Sequence, residues 1–333
     1  MKFEALLTDL KNKIYKPVYF LHGEEEYFID IIIDYIEENV LDEAQKEFNQ
    51  TTLYGKDSNA GMIIDTARRF PMMSNYQVVI VKEAQVLADI EDLAEYIKNP
   101  VETTILVIAY KHKAYDARKK LATTTKKIGV VFKSDRLFEN QLPAWINRQV
   151  ADKGYTITPE ASRLMTASLG SDLTKIKMEL DKLFISLYEN KVIDEDAIEQ
   201  NIGISKEFNI FEFQKAIGSG DYYKANQIAR YFGANQRTNP FVVTIALLYQ
   251  YFSKLLIYHN IKDKSQNNVV AAELSVSPYF VRDYKNAVRR FPLQKTIQAI
   301  SLLREYDLKF KGINNASASE GDLLTELVFK LMH

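Results

Sequence analysis

No cysteine occurs in the 333 residues, which excludes disulfides and every cysteine-based zinc site. Histidine is nearly as scarce. His22, His112, His259 and His333 lie far apart and form no H-x-x-x-H pair, so a zinc enzyme is not indicated. A Ser/His/Asp hydrolase is disfavoured on the same ground, although one histidine could still join such a triad across the fold. Neither sign of charge dominates: 43 Lys and Arg stand against 44 Asp and Glu, leaving no global field to recruit nucleic acid or membrane. No window approaches 18 uninterrupted apolar residues, and the opening "MKFEALLTDLKNKIYK" lacks the apolar core of a secretory signal. The expectation is a soluble, cytoplasmic chain with no membrane partner.

A further absence is local. Residues 17–36, "PVYFLHGEEEYFIDIIIDYI", have the outline of a nucleotide-binding element: an apolar strand, a turn at Gly23, then an amphipathic helix. A phosphate-cradling loop would read G-x-x-x-x-G-K-[ST] there, with backbone N–H groups and a lysine facing the phosphates. Here the turn carries Glu24, Glu25 and Glu26 and no lysine. A Walker-B strand ends in an acidic residue that holds Mg²⁺, whereas "VVIVKEAQ" puts Lys82 at that position. Gly23, Glu24, Glu25 and Lys82 therefore mark a degenerate nucleotide site. Carboxylates in a first helical turn complement the helix dipole by about 0.3–1 kcal/mol each, which accounts for the glutamates. A metal or acid–base site would call for a second carboxylate cluster, and none is recognisable. No catalytic residue, metal or cofactor is assigned.

What is present is an alternation of two periods over the first 135 or so residues. The β-rich runs "PVYFLHG", "QVVIVKE", "TILVIAY" and "GVVFKS" are separated by stretches of helical spacing, and "EFNQTTLYG" offers one more strand. This predicts an α/β domain with a largely parallel sheet. After Ser134 the β signal ends. "LPAWINRQVADKG" reads as a helix stopped by Gly154. "TPEASRLMTASLG" starts with Thr158 as N-cap and Pro159 at the first helical position, and stops at Gly170. "SDLTKIKMELDKLFISL" places Leu173, Ile176, Leu180, Leu183, Phe184 and Leu187 on one face, and "DEDAIEQNIG" is capped by Asp194. From Phe208 onward everything reads as helix, with stops at Gly218, Gly220, Gly233 and Pro240. "PFVVTIALLYQYFSKLLIYHNI" is too wide-faced for a surface helix and belongs at the centre of its bundle.

Three segments are candidates for binding. The run "KHKAYDARKKLATTTKK" holds Lys111, Lys113, Arg118, Lys119, Lys120, Lys126 and Lys127 against one aspartate. It is either a solvated helix face or a contact to a phosphate backbone. Residues 270–290, "VAAELSVSPYFVRDYKNAVRR", have the spacing of a helix-turn-helix followed by Arg282, Lys285, Arg289 and Arg290. The same spacing arises in any two packed helices of an all-α domain. In "RRFPMMSNYQVVIV", Pro71 and Ser74 frame the adjacent Met72 and Met73 at an element end. Methionine suits an adaptable contact surface as well as a core gap, and composition alone favours the core.

The order of "PVYFLHGEEEYFID", "FPMMSNYQVVIVKEAQ", "YDARKKLA", "GSDLTKIKMELDKL", "FNIFEFQKAI" and "LREYDLKFKG" resembles the bacterial DNA polymerase III delta subunit over essentially the whole chain. The resemblance implies an AAA+-like domain over 1–138 without a working P-loop. It further implies a small three-helix lid domain over 139–208 and an all-helical collar over 209–333. On this reading Met72 and Met73, with Pro71 and Ser74, form the contact to the sliding clamp (beta), on a helix just before a strand of the sheet. Segment 270–290 becomes collar. The implied partners are the clamp-loader ATPase subunits (tau/gamma), the delta-prime subunit, and primed DNA within the complex. The chain itself would have no ATPase activity while serving a DNA polymerase holoenzyme.

Overall fold

The apolar runs of the first half form a five-stranded sheet of β1 (Val18–Gly23), β2 (Gln50–Tyr54), β3 (Gln77–Lys82), β4 (Thr104–Tyr110) and β5 (Val130–Ser134). All pairings are parallel and the order is β2-β3-β4-β1-β5. In this computed structural model, residues 2–188, 191–205, 207–315 and 317–333 are described. Strands β1, β3 and β4 are buried along nearly their whole length, which is why their sequences are continuously apolar instead of alternating. The edge strands β2 and β5 carry the polar residues. Six helices flank the sheet: α1 (Phe3–Lys11), α2 (Glu26–Asn39), α3 (Glu43–Asn49), α4 (Ala60–Ala67), α5 (Leu93–Ile97) and α6 (Lys120–Ile128). Alternate strand residues feed two cores. Tyr19 and Leu21 pack with Leu6, Leu10, Ile29, Ile33 and Ile36 on one face. Val18 and Phe20 pack with Ile63, Ala67, Leu93, Ile97 and Leu121 on the other. All five runs expected to be strands are strands.

The chain divides into two compact units, Met1–Leu137 and Phe138–His333. The second begins with α7 (Leu142–Asp152), α8 (Pro159–Leu169), α9 (Leu173–Ser186) and α10 (Glu195–Ile202). The resemblance implies three helices in this stretch and four are formed, as the helical spacing of the four segments requires. Thr158 and Asp194 cap α8 and α10, accepting from the N–H groups of Ala161 (3.1 Å) and Ala197 (2.9 Å). A two-residue parallel ladder, β6 (Thr156–Ile157) with β7 (Val192–Ile193), joins the two capped ends and has no counterpart in the sequence reading.

The rest of the unit is α11 (Ile210–Ser219), α12 (Tyr222–Ala234), α13 (Phe241–Asn260), α14 (Asn267–Leu274), α15 (Val281–Arg290), α16 (Leu293–Phe310) and α17 (Glu320–Met332). Helix α13 is long and apolar enough to cross a membrane by length and composition. Here it lies in the helical core, with Phe241, Ile245, Leu248, Tyr251, Phe252, Leu255 and Tyr258 buried, as its wide apolar face predicts. The Arg163 guanidinium of α8 is stacked between the rings of Phe211 (3.7 Å) and Phe280 (4.1 Å), joining α8 to the later helices.

Two expected helix stops are wrong. Gly218 and Gly233 lie inside α11 and α12, whereas Gly220, with φ 81°, is the true C-cap of α11. A Cβ at Gly218 would stand 2.3 Å from the Tyr251 hydroxyl, and one at Gly233 would stand 2.8 Å from the Cα of Gly321. These glycines permit close packing, and the backbones of α12 and α17 approach through the second. Gly233→Val should therefore cost about 1–3 kcal/mol by overpacking. Calorimetry of the whole chain should show a lower unfolding midpoint, and an unchanged midpoint would contradict the close approach.

Candidate functional site

The loop between α4 and β3 is held from both sides. The last carbonyls of α4 are taken by side chains from elsewhere in the sheet unit. Thr66 accepts from Gln77 Nε2 at 2.9 Å; Ala67 accepts from the Tyr96 hydroxyl at 3.1 Å and from Thr104 Oγ1 at 2.9 Å. With those carbonyls satisfied the helix ends at Ala67, and Pro71 keeps the backbone of Phe70 out of helical geometry. Met72 and Met73 thus lie on a loop, not on a helix as the resemblance implies. Asn49, at the end of α3 and 2 % exposed, grips this loop. Its Oδ1 accepts from the Met72 N–H at 2.6 Å while its Nδ2 donates to the Met72 carbonyl at 3.0 Å. Ser74 Oγ accepts from the Tyr76 N–H at 3.4 Å on the far side.

With the backbone so held, the side chains face solvent. Met72 is 63 % and Met73 100 % exposed, so neither fills the core that composition favoured. Phe70, next to Pro71, and Phe48, next to Asn49 in sequence, are exposed as well. Met73 has φ 53°, a left-handed conformation that costs a non-glycine residue roughly 1–3 kcal/mol. The fold thus sustains both backbone strain and exposed apolar surface at one loop.

The turn at Gly23 lies at the carboxyl edge of the sheet, where β1 sits between β4 and β5 and α/β folds place their ligands. Protein carboxylates occupy it. Glu25 is the N-cap of α2 and accepts from the Tyr27 N–H at 3.2 Å, supplying its own anion to the helix end that would meet a phosphate. Glu26 pairs with His112 Nδ1 at 2.7 Å, and Lys111 pairs with Asp30 at 2.5 Å. Glu24 is exposed. Gly23 forms an antiparallel bridge to Lys113, so the segment after β4 runs across the turn. Lys82 pairs with Glu37 of α2 at 2.9 Å. Burial pulls its ammonium pKa down, but the hydrogen bond and charge of Glu37, with smaller contributions from Tyr54 and Asp34, together outweigh this and the net shift is upward. Among the described residues, no three acidic or histidine side chains gather as a metal site.

The basic run does not form one face. Lys111 is engaged as described, Arg118 is held by both oxygens of Asp116 (3.0 and 2.8 Å), Lys119 pairs with Glu91 at 3.7 Å, and Lys120 pairs with Glu95. Glu91 also accepts from the Leu121 N–H at 3.1 Å and from the Tyr115 hydroxyl, anchoring the start of α6. Lys113, Lys126 and Lys127 make no ion pair among the described residues. In segment 270–290, α14 and α15 bury Val270, Leu274, Val281, Tyr284 and Ala287 in the helical core, while Arg282, Lys285 and Arg289 are exposed. Arg290 donates to the Met332 carbonyl (2.9 Å) and the Tyr222 hydroxyl (2.6 Å), and so ties α15 to the end of α17.

Two family models match the chain: "DNA polymerase III, delta subunit" over residues 19–134 and "DNA polymerase III delta subunit, C-terminal domain" over residues 207–327. The chain is 24 % identical over 321 residues to the DNA polymerase III subunit delta of Bacillus subtilis, covering 93 % of this chain and 92 % of that protein. It is 21 % identical over 218 residues to a probable DNA polymerase III subunit delta of Aquifex aeolicus, 63 % of this chain and 62 % of that one. The solved structure of the Bacillus subtilis DNA clamp loader delta protein superposes with a TM-score of 0.58 at 22 % identity, over 99 % of both chains.

The carboxyl edge also carries a pH dependence. His22 is buried, stacks on Phe20, and accepts from the Tyr115 N–H at Nδ1 (3.1 Å), which requires that nitrogen to be unprotonated. Burial, with Lys133 adding to it, lowers its pKa below the ordinary 6.5. The unfolded chain then takes up a proton at His22 before the folded chain does, so stability falls as pH drops below about 6.5. Melting of the wild type should weaken between about pH 7.5 and 5.5, and His22→Asn should flatten that slope at a lower overall stability. An equal slope in the variant would remove His22 from the account.

Proposed function

The chain belongs to the DNA polymerase III delta-subunit family, and from that premise we propose that it grips the sliding clamp (beta) and holds the ring open for loading onto primed DNA. The observation that carries this reading is the exposed, backbone-held pair Met72 and Met73. An apolar pair presented on a rigid loop binds without the entropic cost of ordering a flexible one. The work done is mechanical and noncatalytic. A subunit that binds the opened ring better than the closed one shifts the clamp toward opening by that difference in affinity, the only way a ligand moves such an equilibrium.

In this reading the subunit is soluble and cytoplasmic, and it neither binds nor hydrolyses ATP. Its own Glu25 occupies the helix end and Lys82 occupies the Walker-B position. The ATPase subunits (tau/gamma) supply the cycle of binding and hydrolysis that frees and then withdraws the methionine wedge. Residues 209–333 serve as the collar joining this subunit to those partners and to delta-prime, residues 139–208 as the lid, and residues 1–138 as the clamp-binding domain. The basic run adds a salt-sensitive contact to DNA inside the assembly, made first by Lys113, Lys126 and Lys127. The paired Lys111, Arg118, Lys119 and Lys120 would have to exchange a carboxylate for a phosphate.

Burying a methionine side chain is worth roughly 1.5–3 kcal/mol, so Met72→Ala/Met73→Ala should weaken clamp binding about a hundredfold or more. Its thermal unfolding should match the wild type, because neither side chain packs in the core. Retained clamp affinity in a titration of the double variant would contradict the assignment.

For the DNA contact, Lys126→Glu/Lys127→Glu should lower primer–template affinity of the assembled complex at low salt and flatten its salt dependence. Arg118→Glu, which only breaks an exposed pair with Asp116, should do less. Equal effects from the two variants would argue against a localised contact.

A further inference from the structure

Resting on the reading of Met72 and Met73 as the clamp contact, we propose that Asn49 is the positioning residue for that contact, acting through the Met72 backbone without touching the clamp itself. The geometry is specific. One carboxamide meets both polar groups of one peptide residue, accepting from the Met72 N–H at 2.6 Å and donating to the Met72 carbonyl at 3.0 Å. The same Nδ2 donates to the Gln45 carbonyl at 3.0 Å, fixing the carboxamide plane to α3. Asn49 is 2 % exposed, while the residue that it holds and the next one are turned outward. Only a carboxamide at this distance offers an acceptor and a donor side by side. Aspartate keeps the acceptor but sets a second oxygen against the Met72 carbonyl, and alanine removes both. Without the grip, the left-handed backbone of Met73 loses the bonds that hold its neighbour, and the pair must be ordered anew each time it binds.

The test is a cycle on the full-length chain, with affinity for the purified sliding clamp measured by titration. Asn49→Asp and Asn49→Ala should each weaken binding about tenfold, the scale of one or two neutral hydrogen bonds. Hydrogen exchange at the Met72 amide should accelerate in both. In the Met72→Ala/Met73→Ala background, Asn49→Asp should add nothing further, because the residue acts only through the pair. If Asn49→Ala folds poorly, the near-isosteric Asn49→Asp carries the measurement. Full clamp affinity in Asn49→Asp, beside a large loss in the methionine variant, would overturn the positioning role and leave the clamp contact standing. A loss that persists undiminished in the methionine background would also overturn it, as a general structural effect. An unaffected methionine variant would instead reject the clamp contact and this inference with it.

Discussion

A single carboxamide, that of Asn49, ties the backbone of the exposed apolar loop to the sheet unit. Two adjacent exposed methionines are ordinarily a liability, since apolar surface without a fixed shape attracts partners indiscriminately. Here the Met72 backbone is tied to a buried side chain, and the preceding helix end is tied to Gln77, Tyr96 and Thr104. Two strands and two helices therefore converge on one loop whose side chains they leave free. The parallel sheet supplies the rigidity, because β3 and β4 are buried on both faces and cannot shift without opening both cores.

At the other end of the same sheet, the turn after β1 is lined by carboxylates of the chain itself. The turn after β1 and the helix dipole behind it remain, but Glu25 caps the helix from within and the neighbouring cations are engaged by Glu26, Asp30 and Glu37. Glu25, Lys82 and Lys111 each face a partner from their own chain. This closure fits the proposed role of a subunit that neither binds nor hydrolyses ATP.

Much of this was legible in the sequence, and the rest was hidden for identifiable reasons. The strands were readable because burial on both faces demands unbroken apolar runs, and the caps Thr158 and Asp194 were readable because capping is a local bond. Gly218 and Gly233 were misread as stops because what they accommodate, Tyr251 and Gly321, is distant in sequence. The helix under Met72 and Met73 is implied by the resemblance alone, and what ends α4 before them, Gln77, Tyr96 and Thr104, comes from three other elements. Asn49 carried no signal at all: an asparagine between a helix and a strand is unremarkable until Met72 is seen against it. The basic run looked uniform because its partners Asp30, Glu91 and Glu95 lie outside it.

The central claim is that Met72 and Met73 enter an apolar pocket on the sliding clamp. The most direct measurement uses the methyl NMR signals of the chain's seven methionines, recorded with increasing amounts of purified clamp. The account predicts that the methyl signals of Met72 and Met73 move or broaden together and saturate with the binding curve. Those of Met62 and Met178, which are also exposed, should stay in place. Saturated clamp binding with the Met72 and Met73 signals unmoved would contradict the account outright.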